Sequence, residues 1–180
     1  MNPTLKLSKL DCARRQLEMA IELYFMDRDP VSIHTLVGAV YQLLVDLNKH
    51  RGGNPLLMEA DSLKGIVIPG KEKEVLRMMN KAENFFKHAD NDPQDVIDFN
   101  PESNEMVLWE SSITYSKLAG EQTPTIQAMN FWFQVRHPDV FTYEQWRKDR
   151  LKDGQSFLHF LGKAGFYKEF LGRTLLRENK

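Results

Sequence analysis

The segment from Pro30 to about Asn48 constrains the fold most, because it is apolar on nearly every side of a helix. Its apolar residues recur at helical spacing and form a broad stripe, made of Ile33, Leu36, Val37, Val40, Leu43, Leu44 and Leu47. Gly38 and Ala39 are small enough to let a second helix approach closely. A helix with this pattern is buried on most sides, so we expect it at the centre of a helical bundle.

Apolar residues elsewhere also recur with the period of a helix, and no segment alternates as a half-buried strand does. We predict three helices over residues 8–26, 30–48 and 71–89. A fourth should run from Asn100 or Ser103 to about Leu118, and a fifth from Thr123 to before Pro138. A capping box of Thr142 and Gln145 should start a sixth, and the tail should form two short helices broken around Gly162 to Gly165. The predicted fold is all-α, a helical bundle of four or more helices with a short-helix C-terminal extension. Residues 1–120 would form the core, and residues 121–180 would pack on it within one domain overall.

The same periodicity predicts which side of each helix is buried. In the fourth helix we expect Met106, Trp109 and Ile113 to face inward. The third helix has an apolar face and a polar one, and its predicted buried face consists of Val75, Met79, Ala82, Phe86 and Ala89, widened by Leu76 and Phe85.

Composition limits the class of protein more than its activity. The 24 basic and 25 acidic residues leave a net charge of -1, so no global charge marks a nucleic-acid or membrane partner. The single cysteine, Cys12, excludes an internal disulfide and fits a reducing compartment. The N-terminus lacks the apolar core of a signal peptide, and no apolar run approaches the about 18 residues that span a bilayer. We therefore expect a cytoplasmic protein with no membrane partner.

The polar face of the third helix carries the strongest candidate chemistry. Arg77, Lys81, Asn84 and His88 follow one another at steps of four, three and four residues. Histidine can accept or donate a proton near neutral pH, and the two cations could bind a phosphate and stabilise charge that develops on it. This set suits cleavage of a phosphodiester by a ribose 2′-hydroxyl. The alternative is an ordinary solvated helix face.

Two further patterns have a functional and a structural interpretation. His88 and Asp90, with Asp92 and Asp95 close by, could bind Zn²⁺ or Mn²⁺, and a bundle could bind a metal or a small ligand through His34, His88 and Asp90. Alternatively, Asp92 caps a turn before Pro93 and the other residues are solvated. We expect no bound metal and no cofactor. The segment "MNFWFQVRH" and the C-terminal tail interleave aromatic with basic residues. Such residues can bind single-stranded nucleic acid, but more often they pack in a core or a subunit interface.

The chain resembles the HEPN family, the nucleotide-binding helical proteins of higher eukaryotes and prokaryotes. The resemblance covers roughly residues 8–118 and lies in "ARRQLEMAIELYF", in "SIHTLVGAVYQLLVDL" and in "NKAENFFKHAD". Active members carry an arginine, four to six further residues and then a histidine, often as R-N-x-x-x-H. Asn84 and His88 match this pattern, whereas Glu83 stands where the arginine belongs. Lys81, separated from His88 by six residues, could supply a positive charge, but without the forked geometry of a guanidinium group.

The resemblance implies a helical bundle that dimerises, with two such motifs at a shared cleft and metal-independent RNA cleavage where the motif is intact. A carboxylate at Glu83 would repel phosphate. We therefore expect a homodimeric, non-catalytic binding or regulatory module, with RNA or a nucleotide as its ligand. One alternative is an active endoribonuclease, a toxin or defence component, with His88 as base, Asn84 orienting the substrate and Lys81 clamping phosphate. A second alternative is a bundle that binds a metal or small ligand.

Overall fold

The structure, a computed structural model, describes residues 4–56, 59, 69–71, 73, 74, 77, 80–90, 93–138 and 145–178. Within these residues the chain forms helices and no strand, which confirms the all-α prediction. The helices with defined bounds are α1 (Lys9–Phe25), α2 (Pro30–His50), α3 (Lys81–Lys87), α4 (Ser103–Ala119), α5 (Pro124–Arg136) and α6 (Gln145–Glu178).

Helix ends are fixed where the sequence supplies capping residues. The carboxylate of Asp29 accepts a hydrogen bond from the Ser32 backbone N–H at 2.8 Å and starts α2. The hydroxyl of Thr123 accepts one from the Ile126 N–H at 3.4 Å and starts α5. Gly120 ends α4 in a left-handed conformation, with φ of 72°, which costs glycine least because it has no Cβ. These three boundaries confirm the sequence prediction.

The core lies between α1, α2, α4 and α5. Each of these helices contributes large side chains that are fully buried, among them Phe25, Leu17, Ile21, Leu44, Leu108, Ile126 and Met129.

By length and composition alone, α2 could also cross a membrane, since an 18-residue window of it has a mean hydropathy of 1.3. This corrects the expectation that no run approaches that length. Core helices of soluble proteins meet the same criterion, and 44% of that window is buried.

The helix α4 is buried over a larger share of its length than α2, so α2 shares the centre of the bundle with it. Nine of the 17 residues of α4 are buried, against eight of 21 in α2. The prediction that Met106, Trp109 and Ile113 face inward is wrong for Met106, which is 45% exposed. Trp109 and Ile113 are partly buried, and Trp109 packs against the core, where it stacks on Phe133. Polar residues such as Asn104 and Glu105 occupy the buried side instead and find partners on other helices. Their burial leaves no apolar stripe that a sequence pattern could detect.

The predicted third helix is shorter than expected. Residues 73, 74 and 77 are helical, Asn80 lies in a turn, and α3 then runs only from Lys81 to Lys87. His88 follows with extended backbone, at φ of -131° and ψ of 142°. No residue of α3 is fully buried, and Phe86 is half-buried beside the ring of His34 on α2. The prediction of one continuous helix to residue 89 is therefore wrong. The prediction that the apolar face of this helix is buried is confirmed in part, because Phe86 packs against α2.

The helix α6 packs on α5 and α1. It bends at Gly162, whose φ of 63° is outside the helical region, as the sequence predicted. Phe166 and Tyr167 are buried and stack on Phe25 of α1, with ring centroids 6.3 and 4.6 Å away. These tail aromatics belong to the core, whereas Phe160 is 83% exposed. The predicted capping box at Thr142 lies outside the described residues.

Candidate functional site

A pocket of about 490 Å³ lies along α3 and the segment that follows it. Its volume is within the range of small-molecule sites. The pocket is lined by the four polar residues that the sequence singled out, Arg77, Lys81, Asn84 and His88. The structure therefore brings the predicted set together at one surface, although a turn at Asn80 separates Arg77 from α3.

The other lining residues change the character of this pocket. Asp90 and Asp95 add two carboxylates, while Phe85 and Val96 add apolar surface. Phe85 is half-buried, and Val96 is 91% exposed. The pocket thus combines two cations, an amide, an imidazole, two carboxylates and two apolar side chains. This mixture fits a ligand with several functional groups better than it fits a simple anion.

Glu83 does not line this pocket. Its side chain lies against Gly38 of α2, where a Cβ built on Gly38 would be 3.1 Å from Cδ of Glu83. Its carboxylate pairs with Lys87, one turn later on α3. The carboxylate is therefore turned toward α2 and is partly neutralised by a lysine, whereas the predicted repulsion assumed that it faces the phosphate.

His88 and Asn84 line the pocket with exposed side chains. Within the part of the chain that the structure describes, no side-chain hydrogen bond holds the imidazole of His88 or the amide of Asn84, and both residues are exposed. An exposed imidazole and an exposed amide can both reach a ligand that enters the pocket.

His34 is not part of the pocket. It is 7% exposed, and its Nδ1 lies 2.8 Å from Oδ1 of Asn104, while its ring contacts Phe86 and Phe99 edge-on. The hypothesis of a metal site made from His34, His88 and Asp90 is therefore wrong, because His34 is used in the core. Among the described residues, no group of three or more His, Cys, Asp or Glu side chains could hold a metal ion.

Sequence reasoning missed a second polar cluster, which joins α1, α4 and the end of α5. Glu105 is 6% exposed, yet its carboxylate accepts a hydrogen bond from the hydroxyl of Tyr24 and lies 2.7 Å from Nε2 of His137. The Nε of Arg136 is 3.6 Å from the same carboxylate. Only the pair "RH" before Pro138 hinted at this cluster, because its members are distant in sequence.

The cluster extends to α6 through the ring of Tyr24. Nζ of Lys163 lies 3.5 Å from the centroid of that ring and 2.9 Å from the carboxylate of Asp27. Trp132 donates its indole N–H to the Tyr24 oxygen at 3.2 Å. Burial, followed by the hydrogen bond to Glu105, raises the pKa of Tyr24 well above its usual value. Tyr24 therefore remains a neutral donor to Glu105 even in alkali, and the cluster acts as a structural junction.

The chain was compared with protein-family models, with curated proteins and with solved structures, and nothing matches in any of the three comparisons.

Proposed function

We propose that this chain is a binding or regulatory module of the HEPN type that holds the phosphate of an RNA or a nucleotide in the α3 pocket, without cleaving it. The observation that carries the proposal is the shared pocket of Arg77, Lys81, Asn84 and His88. Two cations attract a phosphate, and the amide and imidazole can donate hydrogen bonds to it. Glu83 stands where active members of the family carry an arginine, which supports binding rather than cleavage.

Binding of a single-stranded RNA oligonucleotide, followed by fluorescence anisotropy at several salt concentrations, tests this proposal. We expect the double variant Arg77→Gln/Lys81→Gln to bind more weakly. For a single strand, each lost phosphate contact lowers the slope of log affinity against log salt by about 0.7, so the two changes together should lower it by about 1.4. Lys152→Gln is the matched control, because Lys152 is an exposed lysine on α6. Equal affinity and slope in the double variant and the wild type would refute the proposal.

The position of Glu83 favours a second candidate, the metal-independent ribonuclease. Because Glu83 faces Gly38 and Lys87, its carboxylate does not block a phosphate in the pocket. Lys81 would then clamp phosphate, and His88 would be the base. RNA cleavage by the wild type in the presence of a chelator, eliminated by His88→Ala, would establish this candidate over the first.

The same geometry changes what substitution of Glu83 can achieve. An arginine at position 83 would begin at a backbone position that faces α2, so we expect Glu83→Arg to leave RNA binding at the pocket unchanged and to confer no cleavage. The variant instead loses the pair with Lys87 and crowds Gly38.

We also propose that the chain acts as a homodimer, as the family resemblance implies. Light scattering at micromolar concentration should then give twice the chain mass of 21.0 kDa. A mass equal to that of a single chain would remove this part of the proposal.

A further inference from the structure

The ring of His34 on α2 contacts two other stretches of the chain at once. It meets the ring of Phe86 on α3, with centroids 5.6 Å apart, and the ring of Phe99, in the segment after α3, at 5.1 Å. The rings of Phe86 and Phe99 also meet each other at 5.1 Å. All three pairs are edge-on, which is a favourable arrangement for aromatic rings. His34, Phe86 and Phe99 therefore form a closed three-ring cluster.

Two stretches of chain that line the α3 pocket each carry one ring of this cluster. Phe85 lines the pocket, and its ring contacts that of Phe86 with centroids 6.1 Å apart. Val96 also lines the pocket, and Phe99 follows it in the same segment. The packing of the three rings thus bears on the position of both stretches.

Hydrogen bonds within the bundle fix the orientation of His34. Asn104 of α4 is 1% exposed and donates its side-chain N–H to the carbonyl of Pro30 at 3.0 Å, so its Oδ1 is free to face His34. Nδ1 of His34 lies 2.8 Å from this oxygen and carries the proton, because an amide oxygen only accepts hydrogen bonds. The imidazole is therefore oriented by α4 and by the first turn of α2.

The helix α3 depends on contacts of this kind for its position. It has seven residues, none of them fully buried, and isolated helices shorter than about 12 residues are marginally stable in water. It packs on α2, where Glu83 lies against Gly38 and Phe86 against His34. Gly38 follows His34 by one helical turn, so both contacts use one face of α2. Loss of the ring at His34 should therefore loosen α3 and leave the bundle folded.

We infer that His34 is the positioning residue of the pocket, and that its ring holds α3 and the segment around Phe99 in place as one unit. Opening of this unit separates the groups that line the pocket. A ligand that needs those groups together favours the closed arrangement. The inference rests on the proposed function only for this effect of the ligand, because the packing of the pocket on His34 is measured without one.

The first test measures amide hydrogen exchange by NMR in the ligand-free variant Phe99→Ala. The backbone N–H groups of Asn84 and His88 donate hydrogen bonds along α3, at 3.0 and 3.1 Å, so their exchange reports its opening. Phe99 lies outside α3, yet its removal takes two ring pairs from the cluster, and we expect both amides to exchange about ten-fold faster. Phe160→Ala is the matched control, because this phenylalanine is 83% exposed. Unchanged exchange in Phe99→Ala, or an equal acceleration at the amide of Leu44 in the core, would overturn the inference.

Two variants at position 34 test whether the ring itself is responsible. His34→Asn keeps an N–H donor for Asn104 but has no ring, whereas His34→Phe keeps a ring and loses the donor. If the ring positions the unit, the two α3 amides should exchange faster, relative to the core amide, in His34→Asn and close to wild type in His34→Phe. The reverse order would show that the hydrogen bond holds α3, and would overturn the inference.

The last measurement adds the single-stranded RNA oligonucleotide to the wild-type chain. At a free concentration about 100 times its dissociation constant, a ligand that binds only the closed unit slows opening about 100-fold. We expect the amides of Asn84 and His88 to exchange more slowly by this factor. An oligonucleotide that binds without slowing them would overturn the link between the ligand and His34. An oligonucleotide that does not bind would remove the proposed function, whereas the ligand-free exchange still decides the role of His34.

Discussion

The hydroxyl of Tyr24 on α1 donates a hydrogen bond to the carboxylate of Glu105 on α4, although 81 residues separate them in the sequence. Both side chains are buried, at 8% and 6% exposure. A buried carboxylate is costly unless it is paired and hydrogen-bonded, and His137 and Arg136 complete its partners. This junction therefore fixes α1, α4 and the end of α5 relative to one another.

Removal of the Tyr24 hydroxyl should destabilise the fold. Tyr24→Phe keeps the ring but leaves Glu105 without one donor, so we expect a loss of about 1–3 kcal/mol in the free energy of unfolding. Tyr167→Phe is the comparison, because Tyr167 loses only a neutral hydrogen bond to Thr125, worth about 0.5–1.5 kcal/mol. Urea unfolding of the two variants measures the difference. A smaller loss for Tyr24→Phe than for Tyr167→Phe would show that Glu105 does not depend on this donor.

Two buried tyrosines should make the fold sensitive to alkali. Burial, and then the hydrogen bond to Glu121, raises the pKa of Tyr115 from 10.0 to about 12, and the pKa of Tyr24 is raised further. Between these values the folded chain keeps protons that the unfolded chain has lost. Stability is therefore unaffected by these groups below pH 10 and falls as the pH rises above 10. Urea unfolding at pH 9 and pH 11 should show this fall, and Tyr115→Phe should reduce it; an equal fall in this variant would contradict the assignment to Tyr115.

The contact between α5 and α6 depends on a glycine. A Cβ at Gly154 would lie 2.6 Å from Cγ2 of Val135 and 3.0 Å from Cζ of Phe131, so Gly154→Ala should overpack this contact and cost about 1–3 kcal/mol. Gly172→Ala is the matched control, because Gly172 is helical and exposed and nothing lies within 4 Å of a Cβ there. The control should gain up to about 1 kcal/mol from its higher helix propensity. Thermal unfolding that moves in the same direction for both variants would contradict the packing argument.

The core and the pocket should respond differently to truncation. Leu44 is fully buried on α2, so Leu44→Ala should lower the free energy of unfolding by about 2–5 kcal/mol. Lys81 is exposed at the pocket, so Lys81→Ala should change it by no more than about 0.5 kcal/mol while weakening RNA binding. Equal losses in denaturant unfolding would show that the core has been misplaced.

The candidate site could be predicted from the sequence only in part. Steps of four, three and four residues placed Arg77, Lys81, Asn84 and His88 on one surface, and they do line one pocket. Asp95 was expected near His88 because the two are close in sequence, but helical spacing could not reveal Val96, which lies in the segment beyond the turn at residues 93 and 94. It also gave no orientation for Glu83, whose side chain lies against Gly38 of α2.

What the sequence determined by itself is the local structure: the all-α class, and the helix boundaries at Asp29, Gly120, Thr123 and Gly162. These depend on helical periodicity and on hydrogen bonds or backbone angles within a few residues. What only the tertiary structure decided is which polar groups are buried. Glu105 and Asn104 are inside because Tyr24 and His34 reach them from other helices, and a hydrogen bond between distant residues leaves no periodic signal in the chain.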